Sequence, residues 1–340
     1  MKKTLFLGNG FDLALGLKTK YTNFFNDVTV FPFADKYMFD DSPYKSLIAW
    51  LKERSHENWF DIEQEILNYA EFQKQELEKE NAKTSKVIKG KFGGSVTTKN
   101  TPEPFSEEQL ESDRKGFEWI CDALKKYVSE QVAKYKYAFT DDKYHADTIL
   151  GKLDKFTDIF TFNYTNPYEL AKGKERVTPY TKSDGDNLHY VHGSVKENDK
   201  TILGITGGKI LTEYSFLYKN ESDMYEPSGI QDALSESDVV VFFGHSLVGR
   251  IDYQYFKNFF EGTAYQHESQ PKKIYILTDT NNSVSSIKDF LRSCDTQDTN
   301  YDNALDALMA NCKLYFICTK EVNPKAANWF SEMINLLNKN

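Results

Sequence analysis

The apolar run Thr4–Leu7 stops abruptly at Gly8-Asn9-Gly10, and helical character resumes over Tyr21–Asp27. A strand, a glycine turn and then a helix is the opening of a doubly wound α/β fold, because a parallel strand needs a crossover to reach its neighbour. Glycine at such a turn permits positive φ and lets backbone N–H groups approach a phosphate. The run is not a G-x-G-x-x-G fingerprint, since Leu13 stands three beyond Gly10 and Gly16 comes late. Nor is it a G-x-x-x-x-G-K loop. By itself it is compatible with nucleotide binding and with a plain tight turn. Asp12, just beyond it, is placed to take a ribose hydroxyl or to cap a helix.

The remaining pattern fits the same architecture. Over residues 43–84, Trp50, Leu51, Trp59, Phe60, Ile62, Ile66, Leu67 and Tyr69 recur at helical spacings of three and four. A polar, glycine-containing loop follows over 90–104. A second helix is expected from Ser106 to about Phe139, with Ser106 and Gln109 as a capping box and Glu107 and Glu108 in its first turn. Strands are expected at Asp158–Phe162, Leu188–Val191, Thr201–Ile205, Val239–Phe243, Lys273–Leu277 and Leu314–Cys318, with helices at Ile251–Phe260 and near Val284–Leu291. The unbroken VVVFF of Val239–Phe243 reads as a central strand buried on both faces. The expected fold is α/β and Rossmann-like, a mostly parallel sheet with a large helical insertion after the first strand. Its domains are 1–42 with 140–320 as the Rossmann-type domain, 43–139 as the insertion and 321–340 as a C-terminal helix.

Ligands of such sheets sit beyond the carboxyl ends of the strands. Small and polar residues gather at those ends here: Gly8–Asp12, Asn163–Asn166, His192–Ser194 and Gly244–Ser246. One pocket can hold them all. His192 is the strongest titratable candidate, as a general base near neutral pH or as a structural histidine bonded to a loop carbonyl. His189 lies three earlier on the same strand and points to the other face, so the pair is a poor metal site. Asn163 suits a ribose hydroxyl, a water or a turn. Gly244 and Ser246 suit a phosphate or ribose contact. They do not make a serine nucleophile elbow, since Val248 occupies the position of its last glycine. Arg250 and Asp252 open the next element and are placed to touch a ligand or one another. Asp61 and Glu65 share a helix face that is solvated or walls a cleft.

The chain has 340 residues and a formal net charge of -9. That balance counts against a nucleic-acid partner and leaves room for a small nucleotide, which needs only a few local donors. Aromatics reach 15%, with 25 Phe and 21 Tyr, enough for a phenylalanine-rich core or a stacking surface. The four cysteines include no C-x-x-C pair, so no metal is expected. The opening apolar run is too short for a signal peptide, and no stretch reaches the length of a membrane span. A cytoplasmic chain with reduced thiols is expected.

The segments LFLGNGFDLALGLKTKY, NWFDIEQE, FNYTN, VHGS and FFGHSLVGRIDYQYF, in that order over about residues 4–260, closely resemble AbiH proteins, bacterial abortive-infection proteins directed against phages. AbiH proteins are in turn distantly similar to sirtuins and to sirtuin-like NAD hydrolases of phage defence. That resemblance implies an effector that hydrolyses the nicotinamide–ribose bond of NAD, or of a related nucleotide. Gly8, Asn9, Gly10, Asp12, Gly244, Ser246 and Asp252 would bind the nucleotide, and His192 and Asn163 would act catalytically. The zinc module of sirtuins is absent, so lysine deacetylation is not implied, and Lys18 or Lys20 stands where sirtuins carry an arginine. The alternatives are an inactive nucleotide-sensing module and a nuclease. Expected partners are a small nucleotide, further copies of the chain and a phage-derived trigger, with no membrane. The insertion is the natural place for a lid, an interface or a trigger.

Overall fold

Every residue of Lys3–Leu7 is buried, which a strand achieves only in the middle of a sheet covered on both faces. In the computed structural model this run is β1. The structure describes all residues except 28–36, 38–39, 42–43, 57–59, 89–106, 137, 139, 173–185, 197, 224, 226, 249–250, 263–270, 322–323 and 340. The strands that follow are β2 (Asp40–Asp41), β3 (Tyr44–Lys45), β4 (Asp158–Thr161), β5 (Leu188–Tyr190), β6 (Val239–Phe243), β7 (Lys273–Thr278) and β8 (Lys313–Cys318). The helices are α1 (Asn9–Ala14), α2 (Tyr21–Phe25), α3 (Leu47–Arg54), α4 (Ile62–Ile88), α5 (Glu107–Lys134), α6 (Tyr144–Leu150), α7 (Pro167–Ala171), α8 (Ile230–Glu236), α9 (Lys257–Phe260), α10 (Asn281–Ser293), α11 (Ala304–Asn311) and α12 (Pro324–Leu337). Among the described residues, no helix is long and apolar enough to cross a membrane.

The chain divides into two compact units. The first comprises Met1–Lys20, Leu124–Thr201 and Met224–Asn340, and the second Tyr21–Ala123 and Ile202–Asp223.

The first unit is built on a six-stranded sheet in the order β5-β4-β1-β6-β7-β8, with every pairing parallel. Numbered by their own sequence, those strands run 3-2-1-4-5-6, the doubly wound order of Rossmann folds. The order reverses between β1 and β6, and dinucleotides lie in the crevice such a reversal opens. Alternate residues feed two cores. Leu5, Leu7, Val239, Val241 and Phe243 join Phe330, Met333 and Leu337 of α12 on one face. Phe6, Val240 and Phe242 join Leu234, Phe256 and Leu291 on the other. The ring of Phe6 is stacked between Phe160, at 5.3 Å, and Phe242, at 4.9 Å, so three adjacent strands share one aromatic ladder. Burying a ring of that size contributes about 2–3 kcal/mol. The register pairs Leu7 with both Thr161 and Phe243, and Thr161 with Tyr190. Four strands therefore end level, and the residues just past them meet along one edge.

The second unit is helical and carries polar groups inside. Ser46 caps α3 by accepting from the Ala49 N–H. Asp113, on α5, accepts from the Leu47 N–H at 2.8 Å and from the hydroxyls of Tyr69 and Tyr214 at 2.6 and 2.9 Å. Burial pushes its carboxyl up, and those three hydrogen bonds pull it back. Lys219 and Glu63 form a buried ion pair at 2.8 Å. Of the acidic residues that open α4, Asp61 caps the helix through the N–H groups of Glu63 and Gln64, while Glu65 accepts from the Trp50 indole.

Three expected elements differ in the structure. The run Thr201–Ile205 makes only single bridges, Thr201 to Gly193 and Ile205 to Tyr218, because Gly204 takes a left-handed φ of +127° and turns the chain. The helix expected over 43–84 is two helices, α3 and α4, the second starting afresh at the Asp61 cap. The helix expected over Ile251–Phe260 is a 3-10 turn, Asp252–Tyr255, followed by the single turn of α9. Tyr253, Tyr255, Phe256, Phe259 and Phe260 are all buried there, more aromatic surface than one stripe of a regular helix hides. Ser106 and the loop over 90–104 lie outside the described residues.

Candidate active site

The loops after β1 and β6 are joined backbone to backbone. Gly8 N–H donates to the Phe243 carbonyl and Gly10 N–H to the Gly244 carbonyl, both at 2.9 Å. A Cβ on Gly10 would lie 2.6 Å from Gly244 Cα, and one on Gly244 only 2.2 Å from the Phe11 nitrogen. Gly244 also has a φ of +66°, which favours glycine. The glycines are thus required by one another. The Gly8 and Gly10 N–H groups expected at a phosphate have partners inside the protein, and the Asn9 side chain is bonded to Thr19.

Asp12 and Asn163 come together beside this clasp. Asn163 Nδ2 donates to the Gly8 carbonyl at 3.0 Å and to Asp12 Oδ1 at 2.9 Å. Thr165 Oγ1 donates to the same carboxylate at 2.9 Å. These bonds tie the end of β4 to α1. Burial pushes the Asp12 carboxyl up to about 7, against the pull of the Thr165 and Asn163 hydrogen bonds.

His192 follows β5 and is 4% exposed. Gly193, with a φ of +72°, turns the chain immediately after it. Its Nε2 stands 3.5 Å from Asp252 Oδ1. The other oxygen of that carboxylate, Oδ2, faces His245 Nε2 at 3.9 Å. Phe162, at the end of β4, puts its ring edge-on to both imidazoles, at 5.3 and 4.6 Å. Tyr255 packs on the same ring and its hydroxyl meets that of Tyr225 at 2.7 Å. The two histidines therefore approach one carboxylate in an aromatic, low-dielectric surround, where charge interactions are stronger than in water. Asp252 is 30% exposed and opens the group to solvent.

The structure thus brings His192 and Asp252 together, and Asp12, Asn163, Gly8, Gly10 and Gly244 together. Ser246 is exposed after β6, its hydroxyl 3.2 Å from the Val248 carbonyl. His189 stays outside, exposed at the sheet edge, stacked on Phe160 and 3.3 Å from Asp158. Arg250 lies outside the described residues. His245 is the member that sequence reasoning passed over in favour of Ser246. The available signal was a histidine beside a glycine at a strand end, found twice: His192-Gly193 and Gly244-His245.

Fold and site together define an α/β protein of the doubly wound class, with a histidine–carboxylate group on the carboxyl edge of its sheet. The model of the family described as Bacteriophage abortive infection AbiH matches residues 5–270, and the chain belongs to that family. No curated protein matches it in sequence.

Proposed function

We propose that this chain acts in antiphage abortive infection by hydrolysing the nicotinamide–ribose bond of NAD, using its switch-point crevice as sirtuin-like domains do. One observation carries the reading. A buried histidine that follows β5 and a part-exposed carboxylate that follows β6 stand 3.5 Å apart at the carboxyl edge of the sheet, the edge on which this fold takes dinucleotides. Hydrogen bonds of a catalytic pair are often this long before substrate arrives.

In this reading Asp252 receives the Nε2–H of His192, which leaves the lone pair on Nδ1. A water oxygen bonds to ribose C1′ while the C1′–N bond breaks. The bonding electrons neutralise the pyridinium, nicotinamide leaves, and the water proton passes to His192. The products are ADP-ribose and nicotinamide. Charge develops on the sugar, so a nearby carboxylate stabilises the transition state. Asn163, both of whose amide hydrogens are committed, accepts from a ribose hydroxyl or the water through Oδ1. Asp12 holds Asn163 in place. Gly8, Gly10 and Gly244 form a floor without side-chain bulk beneath the nucleotide, Asn9 lies against it with its side chain tied to Thr19, and Ser246 supplies a hydroxyl. A ring only 4% exposed suits a slender ligand better than a nucleic-acid duplex.

The test is nucleotide content, by mass spectrometry, in cells expressing wild-type chain or His192→Ala, with and without phage. A selective fall in NAD that needs His192 supports the reading. A genuine arrest with unchanged nucleotides overturns it and points to nucleic acid. An arrest that survives His192→Ala points to a sensing module.

A further inference from the structure

Two residues in left-handed conformation bracket His245, Gly244 with a φ of +66° and Leu247 with a φ of +51°. A leucine rarely adopts that conformation, and this one is fully buried. The conformation lets the Leu247 N–H donate to His245 Nδ1 at 3.1 Å. An imidazole that accepts through Nδ1 carries its neutral-state proton on Nε2. That Nε2 is the atom facing Asp252 Oδ2 at 3.9 Å. The ring is further fixed by Phe162 at 4.6 Å and Phe256 at 5.1 Å, both edge-on. The β6 loop is therefore strained into a shape that fixes the tautomer of a buried histidine and aims its donor at a carboxylate whose other oxygen faces His192.

From this we infer that His245 is a positioning residue of the same site. Its Nε2–H points at Asp252 Oδ2 across 3.9 Å, longer than a hydrogen bond, and closes on that oxygen as substrate orders the site, so that Oδ1 stays turned to His192. The inference rests on the pairing of His192 with Asp252 in the proposed function. It adds a second imidazole that acts through the carboxylate and does not touch the substrate.

Two variants separate this role from a merely structural one. His245→Asn keeps an acceptor near the position of Nδ1 for the Leu247 N–H and removes the donor to Asp252. His245→Gln places an N–H donor near the position of Nε2 and gives up the loop contact. With the full chain and NAD as the probe, H245N is expected to lose on the order of 10²-fold in kcat with KM unchanged, the effect of a displaced catalytic group. H245Q is expected to stay within about tenfold of wild type. The reverse order, with H245N active and H245Q inactive, overturns the inference, because a purely structural loop contact predicts it. Should H245N fail to fold, H245Q alone decides in the same two directions.

A second measurement needs no turnover. In nitrogen-15 spectra of the histidine rings, H245N is expected to shift the His192 resonances as Asp252→Asn does, and H245Q to return them. His192 resonances unmoved in a folded H245N overturn the inference. If wild-type chain leaves NAD intact, the proposed function falls, and these spectra still decide the role of His245.

Discussion

Two carboxylates stand in the same edge of the sheet and live differently. Asp12 is buried, and its oxygens accept from an amide and a hydroxyl, groups that do not titrate near neutral pH. Asp252 is part-exposed and faces two imidazoles, whose ring nitrogens can give up or take up a proton. Asp12 joins α1 to the end of β4 and so fixes a shape. Asp252 can exchange interaction strength with its partners whenever a proton moves. The chemical potential of a site lies less in the residue type than in whether its partners can change state.

The largest effect that bears on this contrast is catalytic. His192→Ala is expected to lower NAD turnover by on the order of 10²–10⁴-fold, the contribution of a general base. Asp12→Asn is expected to keep turnover within about tenfold, since the amide retains an acceptor for Asn163. Nicotinamide release by the purified variants measures both. A folded Asp12→Asn as inactive as His192→Ala would erase the distinction.

Next comes pH. The folded-state pKa of Asp12, about 7, stands above the ordinary 3.8. The folded protein holds this proton more tightly than the unfolded chain. The stability it lends is complete below pH 3.8 and is lost as pH rises towards 7, a span worth about 4 kcal/mol. Asp12→Asn should remove that slope, so variant and wild type should diverge in urea midpoint between pH 4.5 and 8, in favour of the variant. Parallel curves would show that Asp12 is not the group responsible.

The clasp that flanks Asp12 offers a steric test. Gly244→Ala, with its Cβ driven to 2.2 Å from a backbone nitrogen at positive φ, is expected to cost about 3 kcal/mol. Gly207→Ala, with nothing within 4 Å, is expected to stay within about 0.5 kcal/mol of wild type. Denaturant unfolding compares the two, and equal losses would dissolve the clasp. The smallest effect is expected at His189. Its exposed pairing with Asp158 contributes less than about 1 kcal/mol. His189→Ala should leave turnover untouched, and a loss there would extend the chemistry to the outer strand.

Much of the sheet was legible. Val239–Phe243 needed only its unbroken β-branched and aromatic run, and the level ends of β1, β4, β5 and β6 follow from where Gly8, Phe162, Val191 and Gly244 fall. The glycines announced a tight backbone, but a glycine does not say whose atoms fill the space its side chain vacates. Here Gly10 and Gly244 fill it for each other. The partnership of His192 with Asp252 was hidden for a related reason, since it depends on register across four strands and on a 3-10 turn that periodicity does not foretell. His245 was visible as a residue and not as a role, because its tautomer is set by the N–H of Leu247 in an unfavoured conformation.

The strand at the middle of the sheet has a consequence for biosynthesis. β1 precedes β6, which flanks it on one side, by more than two hundred residues, and β4, which flanks it on the other, by about a hundred and fifty. At roughly 5–20 residues per second, a ribosome takes on the order of ten to fifty seconds to deliver that last neighbour. Until then Phe6 lacks half of its ladder, and His192 has neither Asp252 nor the β6 loop. A nascent or prematurely terminated chain thus carries the histidine without its carboxylate. The order of synthesis leaves the histidine–carboxylate group unassembled until nearly three-quarters of the 340 residues have been joined.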